Sequence, residues 1–219
     1  MSKESPLGMI VVLTLICVVS ALSLGFLYMA TSEKIKGEEK KVVEETLIKV
    51  LPAADPEGFE KIEVKTKDGK PFVYYKAYDK PVSSKEKKLI GYATTGKAKG
   101  YSSEITVMVG VDAEKKRFAG IKVLVQQETP GLGTQCQEEK VDKKIWAPTE
   151  DSGKPKCWTD QFAEKDITGL TVVKGNEKAL TEKEVAAITG ATITSKAVVR
   201  AACDDAVKSL LDVLNEDAK

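Results

Sequence analysis

A run of 24 residues without a charged side chain, from Leu7 to Ala30, constrains this chain more than any other part of its sequence. At a rise of about 1.5 Å per residue such a helix spans roughly 36 Å, and the hydrocarbon core of a bilayer is about 30 Å thick. A cleaved signal peptide is the competing interpretation, but its apolar part is usually only about 7–15 residues long. We therefore predict a retained transmembrane helix over residues 7–30, preceded by an N-terminal tail over residues 1–6.

The charges beside this helix do not decide its orientation. One lysine precedes the helix and four follow it, namely Lys3 on one side and Lys34, Lys36, Lys40 and Lys41 on the other. Counted alone, these lysines would place the following domain in the cytoplasm. They are mixed with glutamates, however, and long domains cross membranes largely regardless of such charges. The residues alone leave the side of the membrane open.

The next stretch, residues 31–52, has the spacing of an amphipathic helix. Its apolar residues recur at helical intervals among glutamates and lysines: Val42, Val43, Leu47, Val50 and Leu51. Pro52 ends the pattern, because proline interrupts a helix. We predict a stalk helix over residues 31–52 and a globular domain over residues 53–219.

Five β-type segments separated by turn residues open this domain: EKIEV, FVYYKAY, LIGYATT, EITVMVGVD and FAGIKVLVQQ. Strands joined without helices favour an antiparallel meander, and the alternation from Ile105 to Val111 predicts a strand with one strongly buried face. A last strand, LTVV, precedes a closing helix whose apolar residues are three or four apart: Val199, Cys203, Ala206, Leu210 and Val213. The predicted fold is α+β, a single transmembrane helix followed by an antiparallel sheet with flanking helices.

Composition excludes several classes of function. The chain has no histidine, which removes Ser-His-Asp and Cys-His catalysis and His-ligated zinc or haem. Its 34 basic and 33 acidic residues are interspersed, so nucleic acid is not an expected partner. The four cysteines form no C-x-x-C pair, which argues against an iron–sulfur cluster or zinc site held by this chain alone. We predict neither a metal site nor a catalytic acid–base group.

Two of the cysteines, Cys136 and Cys157, lie in a polar, lysine-rich stretch typical of a protein surface. Disulfides form in oxidising compartments outside the cytoplasm. Whether these two cysteines are paired therefore depends on the side of the membrane, and the sequence leaves it open.

The segment TGATITSKAV, residues 189–198, leads directly into the closing helix. Ser195 or Thr194 is expected to cap that helix, and the small residues Gly190 and Ala191 leave the backbone open around Thr192. The N-terminus of a helix attracts phosphate, and a threonine hydroxyl there could bind a phosphate or be esterified by one. An ordinary capped turn is the alternative interpretation.

A second motif, ETPGLG at residues 128–133, begins a long section without periodicity. Gly131 and Gly133 flank Leu132, so the loop can present one apolar side chain and bare backbone to a flat partner. Irregular sections of this length in a compact domain are often functional.

The order of these motifs identifies a family. GYSSEITVMVGVD, GIKVL, ETPGLG, WTDQF and TGATITSKAV occur in sequence behind an N-terminal anchor, and in this order they resemble the FMN-binding domain family. The similarity is greatest to the G subunits of Rnf electron-transport complexes. The C subunits of sodium-translocating NADH:quinone reductases share ETPGLG and the threonine motif, and remain the alternative.

The resemblance implies a set of site residues. In this family FMN is joined through a phosphoester to the last threonine of the S/T-G-A-T motif, which is Thr192 here. The implied phosphate-side loop consists of Thr189, Gly190, Ala191 and Thr194, and the implied wall beside the flavin ring of Glu128, Thr129, Gly131, Leu132 and Gly133. A carboxylate that braces the loop is an equal alternative for Glu128. Trp158 and Phe162 are expected in the core or an interface rather than against the flavin.

The resemblance also implies a function and a location. The expected protein is an electron-carrier subunit of a membrane-bound, ion-translocating ferredoxin:NAD oxidoreductase, and it is not a complete enzyme alone. The flavin carries the redox chemistry, which needs no histidine. Implied partners are other membrane subunits, a flavin transferase and the lipid bilayer, and the flavin domain would face outward from the cytoplasmic membrane. A flavin-free assembly module of the same fold is a further alternative, because Ala186 stands where relatives usually have aspartate.

Overall fold

The computed structural model of the protein describes residues 6–66, 69, 71–83, 86–138, 157–174 and 180–217. The chain divides into two compact units, Met1–Glu44 and Glu45–Lys219. The predicted N-terminal tail lies outside the described residues except for Pro6.

The first unit is formed by helix α1, Pro6–Val50, whose last residues belong to the second unit. Residues Gly8–Ser32 form an apolar stretch long enough to cross a membrane, and none of that stretch is buried inside the protein. The helix continues beyond Ala30 because glutamates and lysines, which favour helix, follow. One such pair, Lys41 and Glu38, is in contact at 2.9 Å. The predicted transmembrane and stalk segments are thus one continuous helix, which stops before Pro52.

The second unit contains a five-stranded sheet. Its strands are β1 (Phe59–Lys65), β2 (Pro71–Tyr78), β3 (Leu89–Lys99), β4 (Glu104–Asp112) and β5 (Phe118–Val125). They lie side by side in chain order, and every neighbouring pair is antiparallel. The predicted α+β fold with an antiparallel meander is confirmed.

Strand β4 has the predicted strongly buried face, but its other face is also largely buried, which the sequence did not indicate. Ile105, Val107, Val109 and Val111 face the main core. Met108 on the opposite face is also fully buried. The last turn of α1 covers that face, where a Cβ atom on Gly110 would collide with the carbonyl oxygen of Val50. The sequence around Gly110 does not indicate this contact, because Val50 lies far away from it in the chain.

The C-terminal helices cover the first face of the sheet. They are α2 (Thr192–Arg200), a π-helical turn (Ala201–Val207) and α3 (Lys208–Asp217). The close approach depends on Gly96 of β3, where a Cβ atom would lie 2.8 Å from the Cβ of Ala206. Most apolar residues of the predicted helix face are buried, and Cys203 is half-buried. Its burial raises the pKa of the thiol to about 12.

The section between β5 and α2 holds more regular structure than its composition indicated. It contains two short 3-10 helices, Gly133–Cys136 and Trp158–Phe162. The predicted strand LTVV is found as β6 (Thr171–Val173), which pairs in parallel with β7 (Glu184–Ala186). Strand β7 was not predicted, because its sequence EVA lacks the run of β-branched residues that marks TVV in β6. It ends two residues before TGATITS.

Candidate functional site

The two motifs meet at one cavity of about 440 Å³. The residues that line it are Tyr101, Glu128, Thr129, Leu132, Gly133, Gly190, Ala191, Ile193 and Thr194. Most of the predicted site residues are therefore together. A larger cavity, of about 660 Å³, lies between β2, β3 and α3 and includes none of them.

Glu128 connects the segments around this cavity, and only 5% of its surface is exposed. Its Oε2 accepts a hydrogen bond of 2.6 Å from the hydroxyl of Thr194 and one of 3.2 Å from the N–H of Tyr101. Its Oε1 accepts from the N–H groups of Ser102 and Ser103, at 3.0 and 3.2 Å. These bonds are those of the loop-bracing alternative, and they tie ETPGLG to the β3–β4 turn and to α2.

The surroundings of Glu128 favour its charged form. Burial by itself would raise the pKa of the carboxyl, but the Thr194 hydroxyl and the three backbone N–H groups stabilise the carboxylate. The result is a pKa below the ordinary glutamate value. The cavity wall therefore contains a carboxylate that is ionised at neutral pH.

The expected helix cap was wrong. Helix α2 begins at Thr192, its N-cap residue is Ala191, and no side chain caps it. Ser195 is fully buried, donates to the Ala191 carbonyl at 3.0 Å and accepts from the N–H of Ile188 at 2.9 Å. Thr194 donates to Glu128, whose position 66 residues earlier in the chain no local pattern could reveal. Both hydroxyls lie inside the first turn and are already bonded.

Thr192 differs from both of these neighbours. Its side chain is half-exposed, and its hydroxyl makes no hydrogen bond to any residue that the structure describes. Thr192 does not itself line the cavity, but Ala191 and Ile193 on either side of it do. Thr189 is exposed and also lies outside the cavity lining.

The start of α2 has unused backbone donors. The bond from Ser195 N–H to Ala191 O, at 3.0 Å, is the first i to i−4 bond of the helix. The N–H groups of residues 192–194 precede it and have no acceptor within the helix. They lie at the positive end of the helix dipole, which favours a phosphate group.

The glycines of the two motifs permit close backbone approach. A Cβ atom on Gly133 would lie 2.6 Å from the Cβ of Glu128 and 2.9 Å from the Thr194 hydroxyl. Gly190 has a φ of +79° and faces Leu132. Gly131, with a φ of +74°, shapes the loop and does not line the cavity. Leu132 is 43% exposed and presents its side chain at the cavity.

Sequence reasoning missed two lining residues, Tyr101 and Ile193. Both have exposed side chains, at 68% and 50%. Ile193 is an apolar residue between threonines of the motif, and this position was the available signal. The signal for Tyr101 was weaker. It was the neighbouring Gly100, where a Cβ atom would crowd Glu128.

The WTDQF segment is hydrogen-bonded to the strand that precedes the TGATITS motif. Trp158 and Phe162 are buried and in edge contact, with ring centroids 5.5 Å apart, which confirms their predicted place in the core. The indole N–H of Trp158 donates to the Ala186 carbonyl at 2.8 Å. The side-chain carbonyl of Gln161 accepts from the Ala186 N–H, also at 2.8 Å. These two hydrogen bonds hold the end of strand β7, two residues before the TGATITS motif.

Cys136 and Cys157 are buried, with at most 1% of their surface exposed, so the expectation of a surface location was wrong. Cys136 is the last residue of the first 3-10 helix and belongs to the hydrophobic core. Cys157 directly precedes the second 3-10 helix, and its sulfur accepts a hydrogen bond from the Thr159 hydroxyl at 3.2 Å. Both are free thiols in the structure. Burial raises the pKa of the Cys136 thiol to about 12, and the nearby carboxylate of Glu128 adds to the shift.

The comparisons with known proteins identify the family of this chain. The model of the FMN-binding domain family matches residues 100–207, which include both motifs and the lining of the cavity. The chain is 30% identical over 188 residues to the G subunit of a proton-translocating ferredoxin:NAD(+) oxidoreductase complex from Clostridium ljungdahlii. That match covers 86% of this chain and 83% of the relative. The chain belongs to the FMN-binding domain family, among the G subunits of such complexes.

A second G subunit is similar over a shorter region. It belongs to a Na(+)-translocating ferredoxin:NAD(+) oxidoreductase complex of Acetobacterium woodii and is 38% identical over 112 residues. The match covers 50% of this chain and 44% of the relative, so this chain spans less than half of that protein's length. A crystal structure of Shewanella oneidensis NqrC matches with 23% identity and a TM-score of 0.44, over 69% of this chain and 65% of that one.

The residues of this FMN-binding domain fit the cofactor. A cavity of about 440 Å³ lies within the usual range for small-molecule sites, about 300–1,000 Å³. Glycine backbone and the apolar side chains of Leu132 and Ile193 offer a surface for a flat ring. The free N–H groups that begin α2 offer a place for its phosphate.

Proposed function

We propose that this chain is the electron-carrier subunit of a membrane-bound, ion-translocating ferredoxin:NAD oxidoreductase complex of the Rnf type. Its FMN would be joined through a phosphoester to Thr192. The two G-subunit relatives and the FMN-binding domain support this assignment. When bound, the flavin supplies the redox chemistry.

One observation carries the attachment site. Three hydroxyls lie within the first turn of α2, and only that of Thr192 is both accessible and without a hydrogen-bond partner among the described residues. Thr194 and Ser195 cannot react without loss of buried hydrogen bonds. Thr192 is also the first helical residue, where the helix dipole favours a phosphate.

The proposed attachment step is a phosphoryl transfer to Thr192. The Thr192 oxygen bonds to the phosphorus of the FMN phosphoryl group, supplied as a flavin dinucleotide. The pyrophosphate P–O bond breaks, and a nucleoside monophosphate leaves. The hydroxyl proton passes to a base of the flavin transferase. The domain itself needs no catalytic acid or base for this step.

The remaining site residues bind rather than react. We assign Thr189, Gly190, Ala191 and the backbone N–H of Thr194 to the phosphate side. The ring would lie against the loop formed by Glu128, Thr129, Gly131, Leu132 and Gly133. Glu128 keeps this loop in place through its four hydrogen bonds.

We further propose that Gly8–Ser32 anchors the chain in the cytoplasmic membrane and that the FMN domain lies on the outer side. The apolar helix supports the anchor, and the family resemblance supports the side. The other membrane subunits of the complex, a flavin transferase and the bilayer would be its partners. The C-type flavin subunit of a sodium-translocating NADH:quinone reductase remains the alternative within the family.

A flavin-free assembly module of the same fold is the second candidate. The observation that favours it is Ala186, which is 2% exposed and is held only through its backbone by Trp158 and Gln161. No carboxylate stands at this position to assist recognition by a transferase. This candidate predicts an unmodified chain.

Mass spectrometry of the intact chain, produced in a host that has a flavin transferase, tests the proposal. The expected mass exceeds the sequence mass by FMN less water. Thr192→Ala should lose this increment, and Thr192→Ser should keep it because the hydroxyl remains. Thr171→Ala, which removes an exposed hydroxyl outside both motifs, should keep it as well. An unmodified wild-type chain would favour the flavin-free module instead.

A further inference from the structure

The charge of Glu128 is stabilised but not neutralised. Its four hydrogen-bond donors are neutral groups, three backbone N–H groups and one hydroxyl. No lysine or arginine within the described part of the chain forms a salt bridge with it. A full negative charge is therefore retained at a position that is 5% exposed.

This charge lies in the wall of the cavity that is proposed to hold the flavin. A cavity of about 440 Å³ is roughly 10 Å across, so a bound ring would be within about that distance of the carboxylate. At an effective dielectric constant of about 20, a unit charge 8–10 Å away changes a charging equilibrium by roughly ten- to thirtyfold. Reduction adds electrons to the ring, and a nearby negative charge opposes that addition.

We propose that Glu128, as a positioning residue and fixed charge, lowers the reduction potential of the flavin on this chain. The proposal rests on the proposed function, because it requires FMN in this cavity. It assigns to Glu128 a task beyond bracing the loop, one that depends on its charge. An amide at this position could accept some of the same hydrogen bonds but would leave the ring easier to reduce.

The first test compares the midpoint potentials of flavin-bearing full-length chains in detergent. Glu128→Gln removes the charge with little change of size. At a fixed electrode potential its ratio of reduced to oxidised flavin should rise at least about tenfold, a shift of about 30 mV for a two-electron couple. Glu114→Gln is the matched control, because Glu114 is an exposed glutamate paired with Lys88 at the other end of β4. Its ratio should be unchanged.

A second variant separates charge from geometry. Thr194→Val removes the 2.6 Å bond to Glu128 but leaves the carboxylate in place. If Glu128 acts through its charge, the midpoint potential of this variant should shift by less than half as much as that of Glu128→Gln. Equal positive shifts in the two variants would mean that loop geometry sets the potential, and the proposal would be overturned.

A third pair leaves Glu128 unchanged and tests whether a charge in this wall alters the potential at all. Tyr101 lines the cavity with an exposed side chain, and only its backbone N–H bonds to Glu128. Tyr101→Lys places a compensating positive charge there, and Tyr101→Gln is its neutral counterpart. The lysine variant should be more readily reduced than the glutamine variant, and equal potentials would overturn the proposal.

The mass of the wild-type chain separates this inference from the proposed function. A wild-type chain without FMN removes both. A wild-type chain with FMN whose variants show unshifted potentials removes only the role of Glu128.

Discussion

Three hydroxyl residues that look equivalent in the motif TGATITS have three different surroundings. Thr192 is partly exposed, Thr194 is bonded to Glu128, and Ser195 is bonded to the backbone of residues 188 and 191. The sequence could indicate that a hydroxyl here receives a phosphate. Which hydroxyl is available follows from tertiary contacts, and these contacts leave Thr192 as the hydroxyl that we propose for attachment.

At the same scale, Glu128 should make the stability of the domain depend on acid pH. Its pKa is lowered from the ordinary value of 4.5 in the folded chain, so its contribution is fully present above that pH. The contribution is lost as the pH falls below 4.5 through the lower pKa of the folded state. Glu128→Gln should reduce the free energy of unfolding by about 1–3 kcal/mol at pH 7, and the difference from wild type should shrink towards pH 3.

Urea unfolding of the full-length chain in detergent, at several pH values, measures this difference. Glu114→Gln is again the control and should change the free energy of unfolding by less than about 1 kcal/mol, since its ion pair is exposed. A difference between wild type and Glu128→Gln that stays constant from pH 7 to pH 3 would contradict the assigned ionisation.

At the scale of elements, the alternation of apolar and polar residues predicted the strands, whereas packing between elements distant in the chain could not be predicted. All five strands of the meander were predicted, because each is long enough to show its period between turn residues. Strand β7, which has only three residues, was not predicted. The second buried face of β4 was missed because the end of α1 that covers it is remote in the sequence, and Gly110 alone does not reveal a neighbour.

The contact between α1 and β4 can be tested with two glycines. A Cβ atom on Gly110 would collide with the Val50 carbonyl, whereas one on Gly120 would lie 3.2 Å from the same oxygen. We expect Gly110→Ala to lower the free energy of unfolding by about 1–3 kcal/mol, as overpacking does. Gly120→Ala is the matched strand control and should cost less in urea unfolding. Equal effects would show that the last turn of α1 does not pack there.

At the scale of the whole molecule, the second compact unit begins at Glu45, within helix α1. Pro52 marked the predicted start of the domain, yet Leu47, Val50 and Leu51 are at most 2% exposed and belong to the second unit. Helical spacing showed that these residues form one face of a helix. It could not show that this face completes the core of the domain.

Two fragments test this boundary. Residues 45–219 retain the last turn of α1, and residues 53–219 lack it. Each large buried side chain that is lost costs about 2–5 kcal/mol, which is a large part of the 5–15 kcal/mol typical of a domain. We expect the shorter fragment to be largely unfolded by circular dichroism and the longer one to unfold cooperatively. Both lack Gly8–Ser32 and should remain in the supernatant, whereas the full chain should sediment with membranes.

The exposure of Thr192 also bears on the order of events in biogenesis. Its side chain is partly exposed, while Thr194 and Ser195 in the same turn are already buried. If Thr192 carries the flavin, a transferase can modify the finished domain and has no need to meet the nascent chain. Flavin attachment would then select for folded chains. Only a chain in which α2 has packed against Glu128 would present Thr192 in the conformation that the transferase recognises.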